Sequence, residues 1–115
     1  MARKPCEAEV RQQDGKVVID LSGEIDAFAE KSLNEAYQDA ISGDPSTVVL
    51  NFSDVDYINS TGIALIVSLL AQARKAHREL VVYGLNDHYV EIFQITRLSD
   101  FMTIYPDEES ALVTK

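Results

Sequence analysis

Apolar positions along this chain change their spacing several times, and each change marks an element. Residues 16–21 hold Val17, Val18, Ile19 and Leu21, an apolar run of strand length, and Asp14-Gly15 just before it is a strong two-residue hairpin signal. Residues 6–12 mix polar and apolar positions as an edge strand does, so the chain is predicted to open with a β-hairpin. Residues 22–26 read as a turn, and Asp26 is placed to cap a helix over 27–41. The inward stripe predicted for that helix is Phe28, Leu33, Ala36, Tyr37, Ala40 and Ile41. Ser42-Gly43-Asp44-Pro45 stops it. Residues 47–52 are almost wholly apolar, as in a strand covered on both faces. A helix is predicted from 61 to 78, with Ile63, Ile66, Val67 and Leu70 at helical spacing and Leu65 and Leu69 as a second apolar row. Its basic end, Arg74-Lys75-Ala76-His77-Arg78, complements the negative pole of the peptide dipoles. Residues 80–83 form another buried-type strand ended by Gly84. Asn86 caps a helix through Ile95, with Val90, Ile92, Phe93 and Ile95 apolar. Residues 102–105 are a short last strand, and Pro106 fits the first position of a final helix carrying Ala111, Leu112 and Val113.

The order is two strands, then helices and strands in alternation to the end. That implies an α/β fold, with about four helices packed on a central sheet of mixed strand direction. A length of 115 residues predicts one domain, spanning 1–115. With 46% hydrophobic and 25% charged residues the composition is that of a globular protein with a real core. No apolar run approaches the roughly 18 residues of a membrane span. The basic start, Met1 to Lys4, is followed by no apolar segment, so no secretory signal is expected. A single cysteine, Cys6, excludes an internal disulfide and fits the reducing cytoplasm, with no basic neighbour to make it a reactive thiol.

The net charge of −9 argues against direct nucleic-acid binding, which needs Lys and Arg against phosphate. The charge is unevenly placed. No Lys or Arg lies between Lys31 and Arg74, while Glu35, Asp39, Asp44, Asp54 and Asp56 do. This is either a solvated surface kept for solubility or a face that steers a basic partner.

Within that interval, Asp56-Tyr57-Ile58-Asn59-Ser60-Thr61-Gly62-Ile63 puts two adjacent hydroxyls and a glycine at the start of an apolar helix. The first amides of a helix lack internal acceptors, and the peptide dipoles make that end partly positive. Asn59 or Ser60 can serve as the N-cap, and an added phosphoryl group would also find favourable N–H groups there. Gly62 reads as a spacer beside the hydroxyls. The Leu65/Leu69 row is either buried by a neighbouring helix or left in part for a partner, and Tyr57 and Ile58 carry the same two readings.

The stretch 57–63 resembles the phosphorylation-loop motif of the STAS domain of bacterial anti-sigma factor antagonists. Leu21-Ser22-Gly23-Glu24-Ile25-Asp26 resembles the family's Gly-Glu-Leu-Asp turn, and Val48-Val49-Leu50-Asn51-Phe52-Ser53-Asp54-Val55 resembles the strand leading into the switch. The three stand in family order, and the likeness covers nearly all of the chain. It implies a STAS-like domain whose acceptor is Ser60, with Thr61 beside it and Asp26 near the switch. Asn59 stands where many members have Asp.

The resemblance implies a binding module rather than an enzyme. When unphosphorylated it would bind an anti-sigma factor that is also a serine kinase carrying its own ATP. Phosphorylation of the switch serine would end binding, and a phosphatase would restore it. The switch loop and partner surface implied are Asp26, Tyr57, Ile58, Asn59, Thr61, Gly62, Ile63 and Leu65. A second reading is a STAS scaffold subunit of a larger signalling or transport assembly. No cofactor is expected: His77 and His88 have no partners at metal-ligand spacing, Ser60 has no His or Lys nearby in sequence to act as a base, and glycine-rich phosphate loops are absent. Asp54 and Asp56 read as turn residues rather than a carboxylate pair.

Overall fold

The computed structural model describes residues 4–113. Its strands are β1 (Glu7–Gln13), β2 (Lys16–Ile25), β3 (Thr47–Ile58), β4 (Glu79–Tyr83) and β5 (Thr103–Tyr105). Its helices are α1 (Glu30–Ile41), α2 (Ser60–Lys75), α3 (Asp87–Ile95) and α4 (Glu108–Val113), with 3-10 turns at Ala27–Ala29 and Leu98–Asp100. Asp14 and Gly15 take φ of 53° and 81°, the left-handed pair that a two-residue hairpin turn requires. They bring Gln13 opposite Lys16, so β1 and β2 are antiparallel, and every later pairing is parallel. The sheet order is β1-β2-β3-β4-β5, identical to the order in the chain.

Alternate strand residues feed two cores. Val17, Ile19, Leu21, Val48, Leu50, Phe52, Leu80 and Val82 pack with Leu33, Tyr37, Ile66, Leu69, Tyr89 and Phe93, so α1, α2 and α3 cover one face. Val18, Val49, Val81 and Tyr83 meet Ala111 of α4 on the other. The period-2 alternation of a two-sided sheet explains why these segments read as continuous apolar runs.

Beside α4 the second face carries a polar network. Arg11 donates from Nε to Asp20 Oδ2 at 2.6 Å and from Nη2 to Glu108 Oε1 at 2.7 Å. Tyr83 Oη donates to Glu108 at 2.7 Å, and Asn51 Nδ2 to Asp20 at 2.7 Å. Burial pushes Asp20 upward, but the bonds from Arg11 and Asn51 outweigh it and hold its carboxyl below the ordinary range. Bonds from Arg11 and Tyr83 lower Glu108 as well. Both groups therefore bind fewer protons folded than unfolded, and the stability they add is present above the ordinary carboxylate pKa of about 4 and lost as pH falls below it. Solvent reaches both side chains, so each pair is worth about 1 kcal/mol or less. Urea midpoints at pH 7 and pH 3 should show a smaller acid loss in Arg11→Met than in the wild type; equal losses would remove the network from the acid response.

Several expectations are corrected. Residues 22–25 are not a turn: β2 runs on to Ile25, with Leu21, Gly23 and Ile25 inward and Ser22 and Glu24 less buried. β3 runs on to Ile58 beside it, pairing Ser22 with Asp54 and Ile25 with Ile58, so Asp54 and Asp56 are strand residues. Gly23 has φ of 84°, and a Cβ there would strike the Pro5 carbonyl. The first helix begins only at Glu30, and Phe28, on the preceding 3-10 turn, is 79% exposed instead of inward. Val67 and Ile95 are also exposed. α2 ends at Lys75, and His77 leaves it with φ of 61°. Pro106 precedes the cap of α4, where Asp107 Oδ1 accepts from Ser110 N at 2.9 Å. Cys6 is buried in the main core.

Candidate functional site

The site forms where β2 and β3 end together and α2 begins. Asn59 is extended, at φ −95° and ψ −176°, and its amide donates to Ile25 O at 3.2 Å, which ties the end of β3 to the end of β2. Its side chain then caps α2: Oδ1 accepts from Gly62 N at 2.9 Å, and its carbonyl accepts from Ile63 N at 2.9 Å. Of the two residues that could cap this helix, Asn59 does so. Ser60 is the first helical residue and Thr61 the second, and both are exposed. Among the described residues no acceptor engages the amides of Ser60 and Thr61, and no hydrogen bond engages the Ser60 hydroxyl. An exposed hydroxyl and two open N–H groups thus share the positive end of a 16-residue helix.

Gly62 does not leave open space, as its spacing beside the hydroxyls implied. A Cβ on it would overlap the Ile25 carbonyl oxygen and lie 2.9 Å from Ile58 Cγ2. Glycine lets the first turn of α2 press on the backbone of β2, and that contact aims Ser60 outward.

The remaining residues implied by the sequence gather around this junction unevenly. Asp26 follows Ile25, and its Oδ1 accepts from Phe28 N at 3.0 Å, so it caps the 3-10 turn, which packs on α2. Tyr57 is 50% exposed on β3. Ile58 is buried, and its amide donates to Tyr89 Oη at 2.9 Å. Ile63 and Leu65 are half-buried against the main core, and Leu69 is buried. Two contributors escaped sequence reasoning. Tyr89, on the first turns of α3, fixes the end of β3 through its hydroxyl, and Phe28 stands exposed two residues after Asp26. A Tyr among apolar helix positions and a Phe just after a capping Asp were the only signals for them.

The electrostatics also differ from the one-dimensional picture. Asp54 and Asp56 are exposed on β3, as the acidic interval suggests. The fold nevertheless brings Lys4 from the start of the chain to 3.5 Å from Asp56 Oδ2. Both side chains are well exposed, so the pair contributes at most about 1 kcal/mol. Among the described residues no group of three or more His, Cys, Asp or Glu side chains is placed to hold a metal ion, and no helix is long and apolar enough to cross a membrane.

The fold has known counterparts. An anti-sigma factor antagonist from Mycobacterium paratuberculosis superposes with a TM-score of 0.83 at 23% identity, over 96% of this chain and 94% of that one. SpoIIAA in its unphosphorylated form gives 0.70 at 18% identity, over 92% and 94% of the two chains. In sequence, the chain is 31% identical over 97 residues to the anti-sigma-B factor antagonist of Listeria monocytogenes, covering 84% of this chain and 85% of that protein. It is 28% identical over 96 residues to the protein of that name from Staphylococcus aureus, covering 84% and 89%. The family model of the STAS domain matches residues 7–111, and the chain belongs to the STAS domain family.

Proposed function

We propose that this chain is an anti-sigma factor antagonist of the cytoplasm, a binding module and not a catalyst, switched by phosphorylation of Ser60. Unphosphorylated, it binds an anti-sigma factor that is also a serine kinase and holds its own ATP. Phosphorylation ends that complex, and a phosphatase resets the chain. The observation that carries this reading is the position of the Ser60 hydroxyl, exposed at the first residue of α2 beside two open amides. The names of its sequence relatives point the same way.

A phosphoryl group on Ser60 adds about −1.5 to −2 charge and three strong acceptors. The helix N-terminus accommodates them, so the fold can hold while the surface becomes more negative. Asn59 supplies the cap that an Asp would supply, because either side chain accepts from the amide three residues on.

Incubation with the cognate kinase and ATP should label the wild type and Thr61→Ala and leave Ser60→Ala unlabelled. Labelling of Ser60→Ala at the wild-type level would sink the assignment.

A further inference from the structure

Between Asp56 and Arg74 the chain carries no Asp, Glu, Lys, Arg or His. A surface helix normally carries polar and charged residues opposite its core face. Up to Ala73, α2 carries no charge there. Ile66, Leu69, Leu70 and Ala73 enter the core, but Ser60, Thr61, Ala64, Val67, Ser68 and Ala71 are exposed. Ser60, Ala64, Val67, Ala71 and Arg74 follow one another at intervals of three and four, so they form one row along the helix. Toward its lower end the row opens into a shallow hollow of about 380 Å³ lined by Val67, Leu70, Ala71, Arg74 and Phe101. Val67 is 44% and Phe101 53% exposed, and the Arg74 guanidinium lies 5.0 Å from the centre of the Phe101 ring.

We infer that this row is the second part of the surface that docks the anti-sigma factor, which meets it with an apolar ridge ending in a carboxylate opposite Arg74. The inference rests on the antagonist reading above. Continuity identifies the occupant: Ser60, where that partner must act, heads the row. Size leaves room for it: a specific complex buries about 800 Å² on each partner, enough to take in the row beside Asp26, Phe28, Tyr57, Asn59, Ser60 and Thr61. The row carries the contact about 21 Å further along the helix. Charge sets the direction, since Asp54 and Asp56 lie at the switch end and Arg74 at the other, which fixes the register of a complementary partner.

The test is calorimetric titration of the cognate kinase anti-sigma factor into wild type, Ala71→Glu, Phe101→Ser and, as a charge control, Asn34→Glu on α1. Ala71 and Asn34 are exposed helix positions that accept Glu without strain, and circular dichroism checks the fold. The expected result is a loss of tenfold or more in Ala71→Glu and Phe101→Ser, with Asn34→Glu within a few-fold of wild type. Binding within tenfold of wild type in both row variants overturns the inference and leaves the antagonist reading standing. An equal loss in Asn34→Glu also overturns it, because bulk charge would then explain the effect. If the wild type binds no anti-sigma factor, the antagonist reading itself fails. In that case a wild-type dimer in sedimentation that Ala71→Glu dissolves would assign the row to a second copy of this chain.

Discussion

Ser60→Asp should fold as the wild type does and bind the anti-sigma factor more than a hundredfold more weakly. The two halves of this result have separate causes. Ser60 is exposed at the first position of α2, where a carboxylate meets the positive end of the helix, so stability should stay within about 1 kcal/mol of wild type. The surface around it already carries the exposed carboxylates of Asp54 and Asp56. A partner shaped to a neutral hydroxyl must then desolvate a further charge among like charges, and a penalty of about 3 kcal/mol is a factor of more than a hundred in Kd. Thermal melts and calorimetric titration measure the two halves. Undiminished affinity in a folded Ser60→Asp would rule out charge as the switch.

Gly62→Ala should destabilise the protein by about 3 kcal/mol, the upper range for forcing atoms into a packed site. The sign makes the test sharp, because the same substitution within a helix ordinarily stabilises by about 1 kcal/mol. Here the new methyl would run into the Ile25 carbonyl oxygen, a backbone atom with no rotamer to change. α2 must lift away from β2, and the bond from Asn59 N to Ile25 O goes with it. Gly43 is the control: a Cβ there meets nothing within 4 Å, so Gly43→Ala should be near neutral. Urea unfolding decides the point, and a Gly62→Ala at least as stable as the wild type would mean the junction is looser than its geometry implies.

Much of this fold was legible in the chain because local chemistry and global packing agree over most of it. Asp14-Gly15 can hardly do other than turn, and Val48-Val49-Leu50 suits a strand with a core on each side. Capping was legible for the same reason at Asn86 and, as one of two candidates, at Asn59, while Asp26 caps the 3-10 turn and not the helix expected of it. The misreadings fall where a tertiary partner overrides local preference. Ser22 to Ile25 and Ser53 to Ile58 have loop-like composition, yet each finds its hydrogen bonds on the other. Phe28 was placed on the inward stripe of the first helix, but it lies on the 3-10 turn capped by Asp26, five residues before Leu33, and its ring faces outward. Lys4 lies far from Asp56 in sequence, and no pattern of spacing could have joined them. At the site the sequence marked the hydroxyls, and only the fold revealed that Gly62 is a contact.

The agreement between strand order in the sheet and strand order in the chain bears on how the protein is made. Each new strand has only to add to the edge laid down just before it, and no strand waits for a distant neighbour to be inserted between two others. Chains emerge from the ribosome N-terminus first, and such a sheet can be built in the same direction. The backbone that seats the first turn of α2, Ile25 and Ile58, is synthesised before Ser60 itself. Ser60, the proposed acceptor, therefore emerges onto a support already made; the bonds from Gly62 and Ile63 to Asn59 close as the first turn of α2 follows, and the one from Ile58 to Tyr89 awaits α3.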